Sequence, residues 1–403
     1  MNKIVLFGAG KIGRSFIGQL FSRGGYEVVF IDSNISLIEE LNRKRSYRVI
    51  IKSEKGEEIM HIRNVRGLPV QRVQEIHEEI SGSSILATAV GQANLPDIVP
   101  LIAGGLRLKL KRGSDCRTDL ILAENLRNAG HFMRNLLIKE SGDPRFIDSS
   151  IGFVETSIGK MVPIMTQSDV DEDPLQVFAE PYNTLILDKK AFLNPIPQVP
   201  GLAPKENMKA WVDRKSFIHN LGHAAAVYYG FIRHPNLVYL YEVLNDPEVM
   251  EITRQTMLQS AEALRKEYPF EFPGQDLSDH IDDLLARFQN KALGDTVFRI
   301  GMDLPRKLGP EDRLMGAIRM AERYRSPYEK ISFIVACAFH FRATDEQGKR
   351  LPADNEFSKK FLTSDIREIM KSYCGIDPVK EKDIAEAIFR SNEKVRSEFL
   401  LNA

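Results

Sequence analysis

Three residues in the second half of the chain have the types that proton transfer needs, and they sit on one short apolar stretch. They are Lys215, Asn220 and His223 in RKSFIHNLGHAAAVYYG. On an α-helix the three fall within an arc of about 140°, so one face presents an amine, an amide and an imidazole. Phe217, Ile218, Leu221 and Ala224 to Ala226 lie around them, which predicts burial. Burial disfavours the charged form of a lysine and lowers its pKa. A fall from about 10.4 to about 7–8 makes a general base, at a cost of about 4 kcal/mol. The amide and imidazole can then hydrogen-bond the alkoxide that forms as the base takes its proton. The same pattern also fits a half-exposed helix with a surface lysine and a core histidine. With a hydride acceptor nearby, the set suits the oxidation of a secondary alcohol without a metal, and no metal site is expected.

A candidate site for that acceptor opens the chain. In KIVLFGAGKIGRSFIG, Gly8, Gly10 and Gly13 have the G-x-G-x-x-G spacing, after an apolar run and before a helical pattern. The first glycine permits a tight turn, the second lets the backbone approach a pyrophosphate, and the third lets helix and strand pack closely. The helix start adds free N–H groups and the positive end of its dipole. Gly8, Ala9, Gly10, Lys11, Ile12 and Gly13 are therefore assigned to cofactor binding. Asp32 follows Gly13 by nineteen residues and ends the run VVFID. A carboxylate there accepts from a ribose 2′-hydroxyl and repels a 2′-phosphate, which favours NAD over NADP. Two further apolar runs end in small or polar residues: ATAVG, with Thr88, Ala89, Val90 and Gly91, and LAENLRNAG, with Glu124 and Asn125. In open α/β sheets ligands lie beyond such carboxyl ends, so these residues join the cofactor assignment, Asn125 excepted.

The elements that must hold these groups follow from periodicity. The first half alternates short apolar runs with helical stripes, the pattern of a mostly parallel sheet covered by helices. SYRVIIKSEKGEEIMHIRNVRGL has the form of a hairpin-bearing insertion. NPIPQVPGLAP carries four prolines in eleven residues, which forbids a regular helix or central strand. Beyond it, amphipathic helical segments dominate. The fold expected is an α/β Rossmann-like N-terminal domain over 1–194, a proline-rich junction over 195–204 and an all-α domain over 205–403. The chain has 403 residues, and its 55 Lys and Arg balance 55 Asp and Glu. A balanced chain has no global field to gather nucleic acid or anionic membrane. Three widely spaced cysteines in no C-x-x-C pair suit a reducing, cytoplasmic setting. Neither a secretion leader nor a membrane span is expected.

Five stretches, FGAGKIGRSFIG, AENL, RKSFIHNLGH, PRKLGPEDRL and FHFR, resemble segments of the long-chain, zinc-independent polyol dehydrogenases. RKSFIHNLGH carries that family's K-x-x-x-x-N-x-x-H signature without a gap. The resemblance implies that Lys215 is the general base. It implies that Asn220 and Asn125 polarise the reacting oxygen, and that His223 orients substrate oxygens. It gives Arg342, with His340, the far end of the substrate. The chain is most similar to the sugar-phosphate branch, which implies interconversion of mannitol 1-phosphate and fructose 6-phosphate. Sister reactions on an unphosphorylated polyol or a hexuronate are the alternatives, and a non-catalytic NAD-binding regulator is the rival of another class. The sequence departs from the family at SIGKMVP. There Gly159 and Lys160 stand where the family has an aspartate and an arginine, and Glu155 is a nearby carboxylate. FRIGMDLPRKLGPEDRL reads as a solvated charged face, with Arg299 or Lys307 as a candidate for reaching a substrate phosphate. His61, His77, His131 and His280 read as surface residues, and His219 as a structural or supporting neighbour of Lys215.

Overall fold

The computed structural model of the chain describes residues 2–113 and 115–400, apart from the side chain of residue 400. It divides into two compact units, the first ending at Val212 and the second beginning at Asp213.

The first unit is a covered sheet. Its strands are β1 (Lys3–Phe7), β2 (Glu27–Asp32), β3 (Ser46–Ser53), β4 (Gly56–Arg63), β5 (Val65–Pro69), β6 (Ile85–Thr88), β7 (Thr118–Leu122), β8 (Ile151–Ser157), β9 (Val177–Ala179), β10 (Leu185–Asp188) and β11 (Leu202–Lys205). Eight of them form one sheet in the order β11-β10-β8-β7-β6-β1-β2-β5. From β5 across to β8 every pairing is parallel. β8 and β10 pair antiparallel. The central strands β1 and β7 are buried along nearly their whole length, as expected where helices cover both faces. The order reverses at β1, with β2 on one side and β6 on the other, so the crevice of this sheet opens at the carboxyl end of β1.

The hairpin expected in the insertion is β3–β4, which joins β9 in a separate three-stranded sheet. The proline-rich stretch ends in β11, an edge strand beside β10 that runs on to Lys205. Pro204 is tolerated there because an edge strand has one side without ladder partners. Buried Asp119 also draws the stretch in, accepting from the N–H groups of Leu193 at 2.7 Å and Asn194 at 3.3 Å. The break falls later, inside the helix Met208–Arg214.

The second unit is built from helices, with a single bridge between Tyr239 and Thr296. At its centre the helix Leu221–Arg233 is buried from Ala224 to Tyr229. It packs against Pro247–Glu267, Val297–Gly301 and Glu329–Phe339. Among the described residues no helix is long and apolar enough to cross a membrane.

Candidate active site

The glycine turn joins β1 to a helical segment at the point where the strand order reverses. Gly8 has φ +98°, a left-handed conformation that favours glycine. A Cβ at Gly8 would lie 2.4 Å from the carbonyl oxygen of Ala89, and one at Gly13 would lie 2.0 Å from that of Gly8. Both positions are closed to any side chain. Gly10 is exposed and would meet nothing within 4 Å, so its backbone is the approachable part of the turn. Lys11 is exposed and Ile12 half-buried beside it. Asp32 ends β2 next to the turn. Its Oδ2 accepts from the N–H of Ala9 at 2.7 Å and its Oδ1 from Asn34 at 2.9 Å. Those bonds fix the carboxylate while leaving it half-exposed, with lone pairs for a diol. Buried Arg14 braces the turn from behind, donating to the carbonyls of Ala9 and Leu175. The donors, the carboxylate and the cleared backbone together fit a dinucleotide.

Thr88 ends β6 and is buried, with Ala89 and Val90 half-buried beyond it. Gly91 has φ +86°. Glu124 is buried and holds this loop, accepting from the N–H groups of Val90 at 3.0 Å and Gly91 at 2.9 Å. Burial pushes its pKa up despite those bonds. The structure thus shows Glu124 as a brace for the cofactor loop, a role its spacing did not reveal. Asn125, the next residue, is exposed.

In the second unit, Lys215, Asn220 and His223 lie on one continuous helical stretch whose geometry changes partway. Lys215–Asn220 is a π-helical turn and Leu221–Arg233 is α-helical. The N–H of Leu221 reaches back five residues to the carbonyl of Ser216, and Ser260 Oγ bonds the carbonyl of Phe217 at 2.7 Å. Inserted side chains of this kind accompany departures from the regular ladder. On an α-helix five residues overshoot one turn by about 140°. A π turn, with its i→i+5 bonds, is wider than an α turn and takes more residues to close. The angle between Lys215 and Asn220 about the helix axis is therefore smaller than on an α-helical wheel.

Lys215 is half-buried, and its pKa is pushed down to about 8, by desolvation first and by the Arg313 guanidinium second. His219 and His223 are both held well below the usual imidazole value, chiefly by burial, so at neutral pH each keeps one donor and one acceptor nitrogen. The His223 ring stacks on Phe288 with centroids 3.9 Å apart, and His219 meets His223 edge-on at 5.0 Å. His223 Nε2 is buried without a hydrogen-bond partner. The cations acting on His223 are Arg313, Arg299, Lys307 and Arg287.

Arg342 and His340 lie just beyond the end of the helix Glu329–Phe339. Arg342 Nη1 donates to the carbonyls of Phe339 and Phe341 at the end of the helix Glu329–Phe339. His340 Nε2 pairs with Asn392 Oδ1 at 3.0 Å. Lys307 and Arg313 leave the expected solvated face and are buried, whereas Arg299 is exposed and ion-paired with Asp295. His280 is half-buried, and burial lowers its pKa to about 3. At the family's aspartate position, a Cβ on Gly159 would lie 3.6 Å from the Tyr182 ring, an ordinary contact. Lys160 is buried and caps the carbonyls of Glu180 and Tyr182, a structural use of its charge.

Residues 2–201 match the mannitol dehydrogenase Rossmann domain, and residues 207–383 match the mannitol dehydrogenase C-terminal domain. The chain belongs to the mannitol dehydrogenase family. It is similar to the solved structure of Pseudomonas fluorescens mannitol 2-dehydrogenase in a ternary complex with NAD and D-mannitol. The two are 17% identical with a TM-score of 0.76, over 100% of this chain and 93% of that one. It is also similar to a D-sorbitol dehydrogenase in substrate-free form, at 17% identity and a TM-score of 0.75, over 96% and 94% of the two chains. At this identity the likeness establishes the fold, a Rossmann-like domain followed by a helical one, as the strand and helix patterns imply.

Proposed function

We propose that the chain is an NAD-dependent, metal-independent oxidoreductase that interconverts mannitol 1-phosphate and fructose 6-phosphate, the activity of a mannitol-1-phosphate 5-dehydrogenase. The observation that carries this reading is Lys215, a desolvated amine held down at about 8 on a π-helical turn that also carries Asn220. NAD, when bound, takes up the hydride that leaves the carbinol carbon, and Gly8, Gly10, Gly13 and Asp32 are the residues suited to hold it. Lys215, in its neutral form, takes the proton from the substrate hydroxyl at Nζ. Asn220 donates its amide N–H to the oxygen that becomes negative, and the family pattern gives Asn125 the same task. His223, neutral and stacked, offers its unpartnered Nε2 to a substrate hydroxyl. Lysine, amide and imidazole are fixed before substrate arrives, which favours the transition state over its competitors in water.

A hexuronate is the second reading, because the cations around His223 also suit a carboxylate. A screen of NADH oxidation with fructose 6-phosphate, fructose, tagaturonate and fructuronate tests the proposal. Turnover of fructose 6-phosphate with kcat/KM far above the others is expected. Preference for fructose or for a uronate overturns the phosphate assignment, and tight NADH binding with no turnover of any of the four favours the regulator.

A further inference from the structure

Arg313 belongs to a stretch that reads as a surface run, yet it is only 8% exposed. Its burial has a plain cause. Leu308, Leu314 and Met315 are fully buried on either side and draw PRKLGPEDRLM into the second unit. Asp312 fixes the arginine at its base, accepting from Arg313 Nε at 2.8 Å and from its own backbone N–H at 2.6 Å. Among the described residues, those are the only hydrogen bonds Arg313 donates, so its two Nη groups keep their donors. Lys307, equally buried, donates to the carbonyl of Ile300 and to no carboxylate among the described residues. The charge of Arg313 lowers the pKa values of Lys307, Lys215 and His223 alike. Asp312 is ion-paired with Arg313, and Asp303 and Asp312 act on Lys307. Asp312 is half-buried and shared with Arg306, and Asp295 is taken by Arg299.

Buried cations are costly unless an anion meets them. A guanidinium held at Nε, with both Nη groups still to be used, matches two oxygens of one phosphate in fork geometry, and an adjacent ammonium adds a point charge. We propose that Arg313, with Lys307 beside it, is the anchor for the phosphate monoester of the substrate. This rests on the proposed sugar-phosphate activity. The anchor selects phosphorylated sugars by leaving buried donors unmatched when the phosphate is missing, which costs more than a lost contact.

The experiment uses the full chain saturated with NADH and inorganic phosphate as the probe, followed by titration calorimetry, beside kinetics with fructose 6-phosphate and fructuronate. Arg313→Gln is expected to weaken phosphate at least about 30-fold and to raise KM for fructose 6-phosphate by a similar factor. Arg313→Lys, which keeps the charge and loses the fork, is expected to fall between, about 10-fold weaker. It also serves as the test if the glutamine variant does not fold. Phosphate binding that both variants retain at wild-type strength overturns the assignment, as does a wild type that binds no phosphate. A loss in Arg313→Gln confined to fructuronate overturns it too, in favour of a carboxylate. A wild type that binds phosphate through Arg313 yet turns over no phosphorylated sugar supports the anion site and defeats the proposed activity, so the two failures are distinct.

Discussion

The nucleotide turn and the lysine segment solve opposite problems with the same local device. Each includes a π-helical turn, Gly13–Gly18 in the first unit and Lys215–Asn220 in the second. The first works by removing side chains, so that the backbone of Gly8 can pass Ala89 and a ligand can reach Gly10. The second works by presenting side chains and stripping water from them, so that Lys215 titrates near 8. A site made of backbone is written in the positions of its glycines. A site made of side chains depends on what the rest of the fold packs around them.

That contrast gives variants that should break one region and spare the other. The largest effect is expected from Lys215→Ala. Turnover should fall between about 100- and 10,000-fold, the range for a lost general base, while the NADH dissociation constant stays within about twofold. Steady-state rates beside NADH fluorescence titration check it. Next is Gly13→Ala, whose Cβ would collide with the Gly8 carbonyl. It should weaken NADH at least about 100-fold and destabilise the first unit by about 2 kcal/mol, seen as an earlier melt. Asp32→Ala should weaken NADH between about 10- and 100-fold and narrow the preference for NAD over NADP, read from the ratio of their kcat/KM values. Gly10→Ala is the smallest and sharpens the comparison. Its Cβ meets no protein atom within 4 Å, so the melt should not move, and any loss of NADH affinity comes from the ligand side alone.

Legibility in the sequence follows the same division. The strand-turn-helix context of Gly8, Gly10 and Gly13 is local, and so are the hairpin Ser46–Arg63 and the apolar runs that became the parallel sheet. β11 stayed hidden because prolines argue against a strand, and only an edge position beside β10 makes Pro204 acceptable. The α-helical wheel was the wrong frame for Lys215 and Asn220, since nothing in the residue pattern announces a π turn. Arg313 and Lys307 read as solvent-facing because charge runs usually are, and it took Leu308 and Leu314 to carry them inside.

The central claim is that a neutral Lys215 is the base, and the pH dependence of kcat/KM in both directions tests it most directly. Lys215 is held down at about 8, so its neutral form grows as pH rises through that value. In the oxidation of mannitol 1-phosphate, kcat/KM should climb with pH and level off above about 8. In the reduction of fructose 6-phosphate, which needs the ammonium as acid, it should fall through the same pKa. A profile that stays flat in both directions from about pH 6 to about pH 10 contradicts the account.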